Sequence, residues 1–353
     1  MKRKLVTLML AIAVIVSLVI VGCAKPAPAP TPAKTWELKL SIEVPDTAPL
    51  CVHGFKPWAE EVEKATNGRV KVVIYPSGTL CKVGDMLDAV GTGIADVGWC
   101  WPGLQKGVAP LSEVMNIPML YDRAEVGSHA IWDVYEQVPE VQAEYDGYKL
   151  LSMWSTDAYV IGTIDKPVRK MEDLKGLKLR AANTMTADFI ENLGAAPVFL
   201  RMPDVYMALE KGTMDGTTTS GEAILGWRFC EVLKYYVKPG VIGGGHILIM
   251  NDGVWNSMPP DVQEQLMSVS GGVLSTKIDR DVFGAAIDAV PGELEKMGKD
   301  YEIIQLSPEE IERWRKVAAE PAQVAWVAEL EGKGLPAQKV LDMFKSFVEK
   351  YQS

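Results

Sequence analysis

Two stretches of the chain repeat one strand–helix pattern, and this repeat restricts the possible fold more than any other feature. The stretches are "DMLDAVGTGIADVG", from Asp85, and "DVYMALEKGTMDG", from Asp204. Both place an Asp near a helix start, a small packing residue, a Gly at the helix end and an Asp before the next strand. The matched residues are Asp85, Ala89, Gly93 and Asp96 in the first stretch, and Asp204, Ala208, Gly212 and Asp215 in the second. Common βα-turn chemistry also produces such a pattern, but we interpret the pair as corresponding elements of two similar lobes.

Strands and helices alternate along both halves of the chain. The segments "WELKLSIEV", "GRVKVVIYP" and "ADVGWCW" are predicted strands with helices between them, and "GLKLRAA" and "APVFL" continue the pattern in the second half. Such βαβ units favour mostly parallel sheets whose strand ends share one rim. The run "GYKLLSMWSTDAYVIGT" is predicted to cross between the lobes, and the chain after "GGGHILIMND" is predicted to be helical. The sequence therefore predicts an α/β fold with two lobes and a ligand cleft between them.

The N-terminus has the composition of an export signal. Lys2, Arg3 and Lys4 precede an apolar run that ends at Gly22, and Cys23 follows directly. We interpret residues 1–22 as a lipoprotein signal peptide, Cys23 as the lipidation site, and residues 23–35 as a Pro/Ala-rich tether. The alternative is a plain transmembrane anchor. Both interpretations place the globular part outside the cytoplasm, in the periplasm or anchored at the outer face of the cytoplasmic membrane.

The globular part is predicted to divide into lobe I, residues 36–155, and lobe II, residues 156–244. Parts of residues 245–353 are expected to return to each lobe. The chain has 353 residues, of which 48% are hydrophobic, so it can bury cores of this size. Its formal charge is −10, and without the three basic leader residues it becomes −13. Such an acidic exported domain is a poor candidate for nucleic acid binding.

Four cysteines remain after Cys23, and disulfides are possible outside the cell. They are Cys51, Cys81, Cys100 and Cys230. The first three each follow a predicted strand, which suggests that they cluster at one edge of a sheet. A disulfide between Cys51 and Cys81 is therefore predicted. Free buried thiols are the alternative.

Arg180 ends the predicted strand "GLKLRAA", beside a helix start. A guanidinium offers a planar fork that matches both oxygens of a carboxylate, and backbone N–H groups near Thr184 and Thr186 are suited to the same anion. The residues alone leave alternatives open, in which Arg180 pairs internally with an acid such as Asp157 or lies on a solvated sheet edge.

Four ordered blocks of the sequence resemble the solute-binding subunit of TRAP transporters, the DctP-like dicarboxylate-binding family. They are "WAEEVEKATNGRVKVVIYPSGTL", "DMLDAVGTGIADVG", "MEDLKGLKLRAANT" and "LGAAPVFLRMPDVYMALEKGTMDG". The resemblance implies a periplasmic-binding-protein-like fold that closes by hinge bending, with a long helix bracing both lobes. It also implies a small-molecule organic acid as ligand, and small and large TRAP membrane subunits as partners.

The resemblance assigns site residues one by one. Arg180 matches the arginine that makes the paired contact with the ligand carboxylate, and Thr219 stands where an Asn often reaches the ligand. Asn183 follows the arginine at a position where some members use a polar side chain, although a helix cap is an equal alternative. Met202 matches an apolar residue that packs against the ligand, or else it fills the core.

The crossing strand departs from the family pattern. It carries Tyr159 where many members have a second basic or polar residue, which favours a monocarboxylate or an acid with an apolar or aromatic body. Trp101 and Trp154 are expected near the cleft, with Trp101 stacking on the ligand, whereas for Trp99 core packing is preferred. His53 follows the first strand and is expected to face the cleft.

Other function classes are less consistent with the sequence. None of the three histidines has metal-ligand spacing to another, and no G-x-S-x-G, P-loop or G-x-G-x-x-G motif occurs. The sequence therefore indicates no catalytic residue, metal or cofactor, and an exported enzyme is disfavoured. A binding protein for an ABC importer or a sensor remains an alternative because its site chemistry would be the same. A purely structural lipoprotein is the third alternative to a transport receptor, after the exported enzyme and the other kinds of binding protein.

Overall fold

The computed structural model of the protein describes residues 34–104 and 107–352. The predicted leader of residues 1–22, Cys23 and the tether up to residue 33 lie outside the described residues. Contacts divide the chain at residue 35, and residues from Trp36 onward form one unit. Within the described ranges, every helix is too short or too polar to cross a lipid bilayer.

Two mixed sheets form the framework. The strands are β1 (Trp36–Ser41), β2 (Val70–Tyr75), β3 (Val97–Cys100), β4 (Tyr148–Ser155), β5 (Tyr159–Thr163), β6 (Lys178–Ala181), β7 (Ala196–Phe199), β8 (Gly216–Thr219), β9 (Tyr235–Ile242), β10 (Gly245–Asn251) and β11 (Glu302–Gln305). Their order is β2-β1-β3-β10-β4 in the first sheet and β11-β9-β5-β8-β6-β7 in the second. All strands of a sheet run in one direction except β10 in the first and β5 in the second. The predicted α/β fold with mostly parallel sheets is confirmed.

Helices cover the faces of both sheets. They are α1 (Lys56–Ala65), α2 (Met86–Gly91), α3 (Ala124–Gln137), α4 (Pro139–Gln142), α5 (Thr184–Asn192), α6 (Met202–Glu210), α7 (Gly221–Gly226), α8 (Asp252–Asn256), α9 (Pro260–Met267), α10 (Gly271–Ile278), α11 (Ala285–Lys296), α12 (Pro308–Trp314), α13 (Glu320–Glu331) and α14 (Ala337–Gln352). Short π-helical segments occupy Leu50–Phe55, Asp279–Gly284 and Arg315–Ala319, and 3₁₀ turns occupy Val83–Asp85, Pro102–Leu104, Ser112–Asn116, Ala143–Tyr145, Met171–Leu174 and Phe229–Glu231. Strand β11 interrupts the C-terminal region, so the prediction that this region is entirely helical is wrong at residues 302–305.

Side-chain alternation divides each lobe into two cores, one on each face of its sheet. In β10, Ile247 and Ile249 pack into one core and Leu248 and Met250 into the other. In the second sheet the neighbours Val160 and Ile161 separate in the same way. Both faces are covered, as expected for mainly parallel sheets.

Two chain segments cross between the sheets. Strand β4 of the first sheet leads into β5 of the second, and β9 of the second leads into β10 of the first. The crossings are held together where Thr156 N–H donates to the Gly244 carbonyl at 2.8 Å and Gly244 N–H donates to Thr156 Oγ1 at 3.1 Å. Gly244 has no space for a side chain, since a Cβ there would overlap Tyr159 Oη. The crossings therefore run in close contact between the lobes.

Two nearly continuous helical runs brace the lobes. In the run from Pro308 to Glu331, Trp314 packs in a core of lobe II and Trp326 in a core of lobe I. The run from Gly271 to Lys296 begins in a core of lobe I and ends in a core of lobe II. Each run contains one π-helical segment between the two lobes. A bracing helix is thus present, and a second run accompanies it.

The sequence repeat corresponds to a repeated hydrogen-bond pattern. Asp96 accepts the Lys39 N–H at its Oδ2 at 2.8 Å and donates its own N–H to the Lys39 carbonyl at 3.0 Å. Asp215 makes the same pair of bonds with Lys178, at 2.7 and 2.9 Å. The matched glycines both have positive φ, of 79° and 66°, which residues with side chains rarely adopt. The two stretches therefore join a helix to the adjacent strand in the same way.

The cysteine prediction is corrected. All four described cysteines are free, so the Cys51–Cys81 disulfide is wrong. The reason is that Cys51 packs on one face of the first sheet and Cys81 on the other. Burial raises the pKa of the Cys51 and Cys81 thiols.

Candidate functional site

A cavity lies between the two lobes, where β6 and β8 end and β10 begins. It contains about 660 Å³ of unoccupied space, which includes solvent at its open mouth. Its lining residues come from both lobes and from the crossing segment: Glu43, Val44, Trp99, Trp101, Asn116, Tyr159, Arg180, Ala182, Asn183, Met202, Thr219, Ser220, Glu222, Ala223, Trp227, Gly243, Gly244, Gly245 and His246.

Arg180 is the central basic group of this cavity. It stands next to last in β6, is only 4% exposed, and donates from Nε to the Leu200 carbonyl at 2.9 Å. In the described part of the chain its terminal groups, Nη1 and Nη2, have no hydrogen-bond or ion-pair partner. Burial lowers the pKa of the guanidinium, while Tyr159 and Glu43 raise it. A buried, unpaired cation is costly, and an arriving anion would offset that cost.

The internal ion pair that the sequence left open is not formed. Asp157 instead accepts the Gly221 N–H at Oδ2, at 3.3 Å, and no Arg180–Asp157 ion pair occurs among the described residues. Burial raises the pKa of Asp157 to about 7. The Nε–Leu200 bond therefore leaves the outer edge of the Arg180 fork available to a ligand.

Asn183 caps a helix and also lies at the cavity wall. Its Oδ1 accepts the N–H and the hydroxyl of Thr186, each at 2.9 Å, and so caps α5. The residue also lines the cavity. Because the cap occupies the Thr186 N–H, that group is not available to an anion as the sequence suggested.

Thr219 and Tyr159 face the cavity from adjacent antiparallel strands. Thr219 ends β8 and pairs with the second residue of β5, whose first residue is Tyr159. The hydroxyl of Thr219 is buried and lacks a hydrogen-bond partner among the described residues. Burial raises the pKa of Tyr159 to about 12, although Arg180 lowers it. Both hydroxyls are therefore present as protonated donors.

An aromatic wall opposes these polar groups. The Trp99 and Trp101 ring centroids are 5.4 Å apart at 69°, and the Trp99 and His246 centroids are 5.0 Å apart. Burial lowers the pKa of His246 to about 3, so this imidazole is neutral. Met202, at the start of α6, adds an apolar contact surface. The wall therefore suits an uncharged, flat ligand body.

Two residues assigned from the sequence lie away from the cavity. Trp154 is fully buried, because β4 is the edge strand beyond β10, and it packs against Phe55 and His246 at centroid distances of 6.3 and 5.8 Å. His53 lies in a separate surface groove with Glu61 and Lys277. Neither is part of the site that we describe.

Sequence reasoning missed several lining residues, above all Glu43 and Glu222. Both are buried, and burial raises the pKa of each carboxyl to about 7. Glu43 falls on the strand face opposite to Leu40 and Ile42, and Glu222 looks like an ordinary acid in the first turn of a helix. Only the approach of the two lobes gives these acids a shared cavity.

Comparison with known proteins places the chain among bacterial binding proteins. The sequence profile of the bacterial extracellular solute-binding proteins of family 7, DctP, matches residues 41–326. A solute-binding protein of Albidiferax ferrireducens is 27% identical over 318 residues, which span 85% of this chain and 89% of that protein.

Solved structures with the same fold contain aromatic acids. A TRAP periplasmic solute-binding protein from Bordetella bronchiseptica, with bound (R)- and (S)-mandelate, has a TM-score of 0.81 and 26% identity over 89% of this chain and 99% of that one. A TRAP solute-binding protein from a marine metagenome, specific for aromatic acid ligands and in complex with metahydroxyphenylacetate, has a TM-score of 0.84 and 25% identity over 90% and 99%.

Proposed function

The chain belongs to the bacterial extracellular solute-binding proteins of family 7, the DctP family, and we propose that it captures a monocarboxylic acid with an aromatic or apolar body. Members of this family are periplasmic receptors of TRAP transporters and not enzymes.

The open fork of Arg180 carries this proposal. Nη1 and Nη2 lie at a cavity wall without a partner in the described residues, and the Nε–Leu200 bond fixes the plane of the guanidinium. A carboxylate can accept both terminal N–H groups at once. The Tyr159 and Thr219 hydroxyls are further donors beside it.

The charges around the cavity support one carboxylate rather than two. Among its described lining residues Arg180 is the one charged base, because burial keeps His246 neutral. A second carboxylate would meet the acids Glu43 and Glu222. The aromatic wall suits an apolar body, and the similar receptors with mandelate and metahydroxyphenylacetate support the same ligand class.

We further propose that residues 36–155 and 156–244 move as two bodies about the crossings near Thr156 and Gly244. The carboxylate binds Arg180 in the open form, and closure brings the Trp101 and Met202 side of the cavity over the ligand body. For nearly complete switching, the ligand must favour the closed form by about 5.5 kcal/mol. The TRAP membrane subunits then receive the closed complex.

Lipid anchoring through Cys23 remains part of the proposal. Its support is the basic, apolar and Gly22–Cys23 order of the leader. In cells that process lipoproteins, the protein should partition into detergent and carry a lipid at Cys23, whereas a Cys23→Ser variant should not. Detection of a Cys23→Ser product with the same lipid mass would exclude this site.

Ligand-dependent unfolding tests the binding proposal. Benzoate, mandelate, 3-hydroxyphenylacetate and succinate are compared, with benzamide as the uncharged control for benzoate. A true ligand at 100 times its Kd stabilises the protein by about 2.7 kcal/mol. We expect stabilisation by one or more of the three aromatic acids, none by benzamide, and loss of the effect in Arg180→Met. Stabilisation by succinate alone, or an undiminished effect in Arg180→Met, would contradict the proposal.

A further inference from the structure

Glu222 is a buried acid whose two oxygens have different surroundings. It is 4% exposed and lies in the first turn of α7, after the cap that Ser220 provides. Its Oε1 accepts the Leu50 N–H at 3.3 Å. Since Leu50 belongs to lobe I and α7 to lobe II, this bond joins the lobes across the cleft.

The second oxygen, Oε2, is available to the cavity. In the described ranges it has no hydrogen-bond or ion-pair partner, and Glu222 lines the cavity. Burial raises the pKa of this carboxyl to about 7, and the Leu50 N–H lowers it. A largely buried carboxyl group with a single hydrogen bond is costly, so a ligand that donates a second one to Oε2 is favoured.

Glu222 and Arg180 act on different parts of the cavity. Arg180 stands near the end of β6 and bonds the Leu200 carbonyl through Nε, whereas Glu222 stands in the first turn of α7 and accepts the Leu50 N–H. No Arg180–Glu222 ion pair forms among the described residues, and both charges influence the pKa of Tyr159, which lines the cavity with them. The cavity therefore offers a cationic fork in one region and an acidic acceptor in another.

Next to Glu222 the lining is suited to a ligand body. Ala223 follows Glu222 directly, and Trp227 lies one helical turn further. The backbone N–H of Trp227 donates to the Ala223 carbonyl at 3.0 Å. Both line the cavity with Trp99 and Trp101. A flat body held between these surfaces can present its two ends to different polar groups.

We propose that Glu222 determines ligand specificity by accepting a hydrogen bond from a hydroxyl or amino group on the end of the acid remote from its carboxylate. This rests on the proposed function, in which Arg180 binds the carboxylate. The substrate class is thereby narrowed to aromatic acids that carry a distal O–H or N–H donor.

Matched ligand pairs test the proposal with the full chain. Titration calorimetry compares 3- and 4-hydroxybenzoate with 3- and 4-fluorobenzoate, and 3- and 4-aminobenzoate extend the comparison to N–H donors. Fluorine is close in size to a hydroxyl but cannot donate. The wild-type protein should prefer the donor at one of the two ring positions by about tenfold or more, as for hydrogen bonds to charged groups.

The Glu222→Gln variant identifies the acceptor. Its amide oxygen can still accept the Leu50 N–H, while the amide nitrogen replaces Oε2 with a donor. The hydroxyl-to-fluoro affinity ratio should therefore fall to near one. In Glu43→Gln, which removes the other lining acid, the ratio should remain at the wild-type value. The ratio, and not the absolute affinity, is the readout, so a general weakening does not affect it.

Each outcome has a distinct meaning. A ratio near one at both ring positions in the wild-type protein overturns the proposal without any variant. A wild-type ratio that persists in Glu222→Gln overturns it as well, while acid binding that depends on Arg180 would leave the proposed function intact. If no carboxylic acid binds the wild-type protein, the proposed function fails, and the role of Glu222 fails with it.

Discussion

Substitution of Arg180 by lysine separates a bidentate contact from a simple charge attraction. In the structure Nε is engaged by the Leu200 carbonyl at 2.9 Å, so Nη1 and Nη2 are both available for a carboxylate. Lysine keeps the charge but cannot reproduce the planar fork. Losing one of two charge-assisted hydrogen bonds costs about 1.5–3 kcal/mol, which corresponds to about 10- to 150-fold in Kd.

Titration calorimetry with the best acid from the panel measures this loss. The matched control is the unfolding free energy of the ligand-free protein, since Arg180 is buried without an ion-pair partner among the described residues. Replacing it with Met removes a buried charge but also the Nε–Leu200 bond, and these opposing effects should change that free energy by less than about 2 kcal/mol. A Kd within about threefold of wild type for Arg180→Lys would refute the fork. Destabilisation of ligand-free Arg180→Met by more than about 2 kcal/mol would instead indicate a structural role.

Three further outcomes are expected. Gly244→Ala should destabilise the protein by about 1–3 kcal/mol in chemical denaturation and weaken ligand binding, because its Cβ overlaps Tyr159 Oη. Gly292→Ala, which meets open space in α11, is the control and should not destabilise. Burial raises the pKa of Asp157 to about 7, so folding favours the protonated carboxyl. The resulting contribution to the free energy of unfolding is fully present below the unfolded-state pKa of about 4 and is lost as the pH rises through 7. Between pH 5 and pH 7 the unfolding free energy should fall more steeply in the wild-type protein than in Asp157→Asn, by up to about 1.4 kcal/mol per pH unit. Equal slopes in the two proteins would contradict this. Trp154→Phe should keep the ligand Kd within about twofold of the wild-type value, since Trp154 lies outside the cavity. A tenfold increase in Kd would show that Trp154 contributes to the binding site.

Regular elements were the most predictable part of the fold, because their signals are local. The strand that ends at Arg180, the helix after Asn183 and the repeat around Asp96 and Asp215 all follow from residue patterns within a dozen positions. Strand β11 was missed because its four residues carry little periodicity and are held by pairing with β9.

Site residues were predictable only where the residue type itself indicates a binding function. Arg180 and Thr219 are unusual residues at strand ends, and the structure brings both to the cavity. Trp154 and His53 were expected there as well, but Trp154 lies in β4, beside β10 at the sheet edge, and His53 lies in a separate surface groove. Position in a sheet depends on partners far away in sequence, which local patterns do not contain.

The sequence by itself determined the α/β class, the two similar lobes and the arginine suited to a carboxylate. Periodicity, turn residues and the guanidinium fork are properties of short segments, and so they can be read from the chain directly. The tertiary structure decided that Arg180 remains unpaired, that Cys51 and Cys81 lie on opposite sheet faces, and that Glu222 meets the N–H of Leu50. These outcomes depend on contacts between segments that are separate in sequence, such as Leu50 and Glu222 at 172 positions apart, and burial in those contacts sets the charge state of the site.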